Sequence, residues 1–248
     1  MHVVKVGGNE LDDASFVETF AAAVATLHQR NEQVVIVHGG GKALTDLLNA
    51  LNIPTRFVDG LRVTDAPTRD AALMVLSGLT NKRLVAALQA HALDALGVSG
   101  IDGALVRAAP INEALMFVGK PTQVRTERLR ALLAQGWLPV IAPVSLGEDG
   151  AIYNVNADHV ASAIAAALSA DLLTFVTNVA GVLDSGGVLL PRLTREQAEA
   201  LIAQGVIRGG MIPKVRAALE ALAFGVARAR ITNVIGLTRD LGTTFESV

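Results

Sequence analysis

The sequence predicts an α/β protein built on a mainly parallel sheet, and three observations carry that prediction. Short β-branched runs alternate with stretches of helical periodicity along the whole chain. Several of those runs break into paired or tripled glycines just before a helical pattern begins. The composition is 51% hydrophobic but only 4% aromatic, so the core is made of Ala, Leu and Val rather than of the aromatics common in all-β folds. At 248 residues there is length for one large domain or two lobes, with an ample core.

Other classes are poorly served. A formal net charge of −2 supplies no electrostatic attraction for nucleic acid or an anionic membrane. Cysteine is absent, which removes disulfide frameworks and thiolate metal sites, and the five histidines never pair at a metal-binding spacing. Lys5 and two glycines stand where a signal peptide needs its apolar core. The longest apolar stretch, 160–183, is interrupted by Asp171 and Asn178 and reads as a helix followed by a strand, not as a membrane span. The expectation is a soluble, cytoplasmic protein.

Residues 2–8 make a first short strand ending in Gly7-Gly8, with Lys5 among its apolar residues. A buried ammonium needs a partner or a cavity, whereas on an edge strand it would sit in water; both readings stand at this point. Asp12 or Asp13 can cap the next helix, whose Phe16, Phe20, Val24 and Leu27 share a face. Val34-Val35-Ile36-Val37 is a second strand, breaking into Gly39-Gly40-Gly41 and a helix over about 42–51. A P-loop would need glycine at Ile36 and Ser or Thr at Ala43, and a dinucleotide fingerprint would need glycine at Leu44; neither is present. What remains is a glycine turn feeding a helix start, which aims unpaired N–H groups at an anion. Right-handed crossovers place the two strands side by side and parallel, with both glycine turns on one crevice.

Beyond them, Gly60-Leu61-Arg62-Val63-Thr64 is a loop or short extended piece, in which Arg62 is either a surface residue or a fork for a carboxylate. Helical patterns cover 67–77 and 81–96, and 98–124 reads as a hairpin-rich excursion able to wall or cover a site. A helix over 126–135 leads to a buried strand, 138–142, and a turn at Asp149-Gly150. Asn154, Asn156 and Asp158 alternate before an alanine-rich helix ending near Leu168; one of them suffices to cap it, which leaves the others without a task. A strand over 172–176 follows, then a turn at 184–187 and a helix from Thr194 to about Ala203 with capping-box spacing. Gly209-Gly210-Met211-Ile212-Pro213-Lys214 repeats the opening theme of paired glycines and a lysine inside a helix start. A last strand near 227–231 and an irregular tail over 236–248 close the chain.

Taken together, Lys5-Val6-Gly7-Gly8, His38-Gly39-Gly40-Gly41, the Arg62 segment, Asn154-Val155-Asn156-Ala157-Asp158 and the Gly209–Lys214 stretch resemble the amino acid kinase family, in order and over nearly the whole chain. The last two motifs are similar to its acetylglutamate-phosphorylating branch. The resemblance implies a three-layer αβα sandwich with an open, mainly parallel central sheet and two lobes: residues 1–172 for the acylamino acid and dimerisation, 173–248 for nucleotide. It implies transfer of the ATP γ-phosphoryl group to the γ-carboxylate of N-acetyl-L-glutamate, with Mg²⁺ carried mainly by the phosphates. Lys5 and Lys214 would stabilise the group in transit, Asp158 would position both lysines, and Gly8, Gly40 and Gly41 would offer N–H donors. Arg62 and Asn154 would hold the substrate with Asn156 close by. Asn178, Gly181, Val182, Leu183, Gly209, Gly210 and Met211 would line the nucleotide pocket. Many relatives carry aspartate where Asn178 stands, so that contact is expected to differ. The chain starts at its first strand, so a homodimer with weak or no arginine feedback is the expectation. A kinase acting on the one-methylene-longer N-acetyl-aminoadipate, free or carrier-linked, is the first alternative, and a non-catalytic sensor of ATP or an amino acid is the second. For His38 the residue chemistry points to a hydrogen bond within the turn.

Overall fold

The computed structural model describes residues 1–246. Its centre is an eight-stranded sheet in which every neighbouring pair is parallel except one. The first half supplies β1 (His2–Val6), β2 (Val34–His38), β5 (Ala95–Ser99) and β8 (Leu138–Ala142). The second half adds β11 (Leu172–Val176), β12 (Arg192–Leu193), β13 (Arg228–Thr232) and β14 (Thr243–Glu246), giving the order β12-β14-β13-β11-β1-β2-β8-β5. β1 is therefore a central strand, with Lys5 opposite Phe175 on one side and Val37 on the other.

Helices cover both faces, and the period-2 alternation of each strand decides which. Val3, Val35, Val37 and Phe175 pack under α6 (Ala157–Leu168) and α8 (Met211–Ala223). Val4, Val6, Val34 and Ile36 pack under α1 (Ala14–Gln29) and α4 (Asn81–Ala90). Phe20, Val24 and Leu27 of α1 are buried as their spacing predicts, and Asp13 is the cap, accepting from the Ser15 N–H at 2.8 Å. Around this sandwich lie α2 (Gly41–Ala50), the two-residue strands β3 (Phe57–Val58) and β4 (Leu61–Arg62), and α3 (Ala66–Ala72). α5 (Thr126–Ala134), α7 (Arg195–Ala203) and α9 (Val234–Arg239) complete the helices. The excursion supplies β6 (Val106–Pro110) and β7 (Val118–Val124), two strands of a small closed ring of four that β9 (Val144–Gly147) and β10 (Ile152–Val155) complete.

Three expectations about elements are corrected. The two helices of 67–77 and 81–96 are one continuous run, because a π-helical stretch, Leu73–Thr80, joins α3 to α4. That run stops at Ala90, and 95–99 form the edge strand β5: pairing with β8, Ala95 opposite Leu138 through Ser99 opposite Ala142, overrides the weak β preference of Gly97 and Ser99. The tail is ordered rather than irregular: Asn233 caps α9 by accepting from Gly236 N–H at 2.8 Å, and β14 pairs antiparallel with β13. Its last two residues, 247 and 248, lie outside the described residues.

The run Ala66–Ala90 is long and apolar enough to cross a membrane by length and composition alone. Part of it is spoken for by the fold, since Leu84 and Leu88 are buried under the sheet and Val75 and Leu76 pack with Leu44 and Leu48 of α2. The stretch 160–183 divides between α6 and β11, as its two polar interruptions predict.

Candidate active site

β1 and β2 end in register, Val6 opposite His38, so both glycine turns leave the same edge of the sheet together. They touch: a Cβ on Gly8 would lie 2.3 Å from the backbone nitrogen of Gly40 and 2.6 Å from that of Gly41. On Gly41 a Cβ would meet nothing within 4 Å, so this residue opens onto space. No side chain caps the start of α2 at Gly40, which leaves the first N–H groups of that helix available to an anion.

Lys5 lies on the same face of β1 as Val3, the face where α6 begins, and its Nζ meets Asp158 Oδ1 at 2.9 Å. Because β1 is central, the edge-strand reading of Lys5 fails. Asn156 caps α6 through Oδ1, which accepts the Asp158 N–H at 2.7 Å. Capping thus occupies one member of the Asn154–Asn156–Asp158 alternation and leaves the Asp158 carboxylate for the lysine. Its Oδ1 is buried with no hydrogen bond beyond that ion pair, so losing Lys5 would strand a carboxylate oxygen.

These groups line a cavity of ≈280 Å³ that also takes in Gly40, Gly41, Arg62 and Asn154. Arg62 stacks over the Phe57 ring at 4.7 Å and donates to Thr45 Oγ1 at 2.7 Å, Thr55 Oγ1 at 3.3 Å and the Gly41 carbonyl at 3.3 Å. All three acceptors are neutral. The guanidinium is held in place without a counterion in these bonds, and partial burial pushes its pKa down from the ordinary value. Asn154 donates to Thr64 Oγ1 at 3.2 Å, which ties β10 to the Arg62 segment. A cavity edged by N–H donors, one ammonium and one guanidinium can accept a substrate with more than one anionic group.

A second cavity, ≈520 Å³, is lined by Gly181, Val182, Leu183, Met211 and Arg208. Gly181 has φ +146°, and a Cβ there would come within 2.9 Å of the Thr243 nitrogen, so the chain turns tightly beneath the opening. Gly209 and Gly210 carry the chain from Arg208 into α8 but do not line this cavity, and neither does Asn178. Lys214, in the first turn of α8, donates to Asn178 Oδ1 at 3.2 Å. The expectation that Asp158 positions both lysines meets a different arrangement: the Asp158 carboxylate pairs with Lys5, and the neutral amide of Asn178 holds Lys214. A larger groove of ≈590 Å³ between α7 and α8 contains none of the residues singled out from sequence.

His38 behaves as its chemistry predicts. Its Nδ1 lies 2.8 Å from the Gly39 carbonyl, and burial pushes its pKa down to about 4. Sequence reasoning passed over Thr45, Thr55 and Thr64, whose hydroxyls position Arg62 and Asn154, and Arg208. Arg208 had a signal, a basic residue directly before paired glycines; the threonines had none until the fold brought them together.

A parallel sheet whose C-terminal edge carries two glycine turns and a lysine–aspartate pair, with a second lysine at a helix start, defines an α/β protein equipped to hold phosphoryl groups. Residues 1–233 match the amino acid kinase family. An acetylglutamate kinase of Roseiflexus castenholzii is 55% identical over 95% of this chain and 90% of its own length, and one of Geobacillus stearothermophilus is 47% identical over 93% and 89%. Among solved structures, smu.665 from Streptococcus mutans superposes with a TM-score of 0.84 at 30% identity, over 99% of this chain and 98% of that one. A carbamate kinase from Giardia lamblia shares the fold at a TM-score of 0.73 and 18% identity, over 100% and 98%. The chain belongs to the amino acid kinase family.

Proposed function

We infer that the protein transfers the γ-phosphoryl group of ATP to the γ-carboxylate of N-acetyl-L-glutamate, giving N-acetyl-L-glutamyl 5-phosphate, a step of arginine biosynthesis. The observation that carries this reading is the Lys5–Asp158 pair at the head of a cavity edged by Gly40, Gly41, Arg62 and Asn154. The close, nearly full-length relatives named acetylglutamate kinase support the choice of substrate.

A carboxylate nucleophile is ionised at neutral pH, so the reaction needs no general base. It needs alignment and positive charge around a phosphoryl group whose oxygens gather charge in transit. In this reading Arg62 and Asn154 hold the acylamino acid, with Asn156 beside them, and Gly8, Gly40 and Gly41 direct N–H groups at phosphoryl oxygens. Lys5 approaches from the substrate side, steadied by Asp158. Lys214 approaches from the nucleotide side, steadied by Asn178, which leaves its charge uncompensated for the phosphates. Gly181, Val182, Leu183 and Met211 line the nucleotide pocket and Gly209 and Gly210 lead the chain from it into α8, so residues 1–172 serve the acylamino acid and 173–248 the nucleotide.

Among the described residues no cluster of three His, Cys, Asp or Glu is placed to hold a metal ion, and Asp158 is committed to Lys5. This donor set suits phosphoryl oxygens, so Mg²⁺ would come with the ATP phosphates and offset their charge there. A cytoplasmic homodimer completes the reading; Met74 at 65% exposure and Leu79 at 44%, both on the π-helical stretch, give such a dimer apolar surface to cover.

The competing substrate is one methylene longer, a difference worth only about 1–3 kcal/mol in a pocket. Trapping the acyl phosphate with hydroxylamine decides between them. We expect ATP-dependent hydroxamate from N-acetylglutamate at a rate well above that from N-acetyl-aminoadipate. The reverse order would move the protein to the longer acid, and binding of both substrates without ADP release would make it a sensor.

A further inference from the structure

We propose that Asn81 is a positioning residue for the glycine turn, acting through His38. The proposal deepens the reading above, since it assumes that Gly40 and Gly41 face the group in transit.

Asn81 opens α4 directly after the π-helical stretch and is fully buried. A buried primary amide must find partners for two donors and an acceptor. Its Nδ2 donates to the Val140 carbonyl at 2.9 Å and faces His38 Nε2 at 3.0 Å, while its Oδ1 accepts from Lys82 Nζ at 3.1 Å. Flipping the amide would set its oxygen against the Val140 carbonyl and its nitrogen against an ammonium, so the orientation is chemically determined. An Nδ2 group is only a donor. His38 Nε2 must therefore accept, its proton must sit on Nδ1, and Nδ1–H must donate to the Gly39 carbonyl at 2.8 Å.

That carbonyl shares a planar trans peptide with the Gly40 N–H, and the two point in opposite directions. Drawing the carbonyl toward the buried imidazole turns the Gly40 N–H the other way, to the side where it meets Gly8. The π-helical stretch presses on the same residue: a Cβ on Gly40 would meet Leu76 Cδ2 at 2.5 Å and Thr80 Oγ1 at 3.2 Å. Widened helical turns recur at functional sites. Here the wide turn delivers Leu76 and Thr80 to one side of the turn and Asn81 beneath it. His38 is then a neutral post for the turn and takes no part in proton transfer.

Two substitutions separate positioning from mere filling. In His38→Asn the side-chain amide occupies the place of Nδ1 and keeps the bond to Gly39; in His38→Gln it reaches the place of Nε2 and keeps Asn81 instead. Both leave space in the core and lower thermal stability. We expect His38→Asn to retain most of the wild-type kcat and His38→Gln to lose roughly tenfold, as for one hydrogen bond, with KM for ATP unchanged in both. Equal kcat values, or the opposite order, would overturn the proposal. Should His38→Asn fail to fold, ¹⁵N NMR of the imidazole carries the test. The wild type should show the proton on Nδ1 at pH 7, and Asn81→Asp, which can only accept at Nε2, should move that proton to Nε2, leaving Nδ1 without a hydrogen to donate to Gly39 and lowering kcat. A wild-type proton on Nε2, or an Asn81→Asp variant whose proton sits on Nε2 alone with unchanged kcat, refutes the proposal. The wild-type tautomer is read without substrate, so a chain that makes no hydroxamate from N-acetylglutamate refutes the substrate assignment alone.

Discussion

Lys5 stands where a strand buried on both faces would ordinarily hold a valine, and its ammonium is tolerable there because Asp158 meets it at 2.9 Å. The misfit was legible in sequence, as was the surplus of small polar residues at 154, 156 and 158. Their division of labour was not, since only the folded start of α6 shows that Asn156 caps and Asp158 pairs. For the same reason the Lys214–Asn178 contact could not be read from spacing: it joins residues brought together by β11 and α8. His38 gives this scale a prediction in pH. Its pKa of about 4 in the fold compares with 6.5 in an unfolded chain. Above pH 6.5 both states are neutral and the residue contributes nothing. As pH falls from 6.5 toward 4, the unfolded chain takes up a proton that the native chain refuses, and stability drops by about 3 kcal/mol before levelling off. Burial pushes His2 in the same direction, and His2 is common to both proteins compared. The urea midpoint should therefore fall more between pH 7 and 5 for the wild type than for His38→Gln. Parallel slopes would mean that His38 does not titrate in this way.

At the scale of elements, the strands and helices that meet the site followed from pattern, because each is long or strongly periodic. β1, β2, β8 and β11 are mainly apolar runs, and the capping box at Thr194 and Gln197 forms in full. What pattern missed is held by tertiary pairing: the glycine-bearing edge strand β5, the π-helical joint and the final strand β14. The two glycine turns offer the sharpest test of an element. Gly8→Ala puts a methyl 2.3 Å from backbone, which no rotamer can relieve, so it should cost about 1–3 kcal/mol or more in urea unfolding. Gly41→Ala meets open space, and its stability should stay within about 0.5 kcal/mol of wild type while KM for the acylamino acid rises. A stable Gly8→Ala variant would show that the turns are not in contact.

Across the whole molecule, the sheet order separates the two cavities, one formed where β1 and β2 end and the other by the turn after β11. β1 lies at the middle of the sheet, flanked by β2 from the first half of the chain and β11 from the second. The glycine turns and Arg62 thus gather on one side, and the turns after β11 and before α8 on the other. Lys5 and Lys214 come from opposite ends of the sequence and are placed on the two sides by topology alone. The most direct measurement is kcat for Lys5→Met and Lys214→Met, made beside circular dichroism and thermal unfolding. Both variants should fold, Lys5→Met with a lowered Tm because Asp158 loses its partner, and both should lose on the order of 10²–10³ in kcat, as for removal of one transition-state donor, with KM for either substrate little changed. Undiminished turnover in either variant, or a Lys5→Met chain that does not fold, would contradict the account.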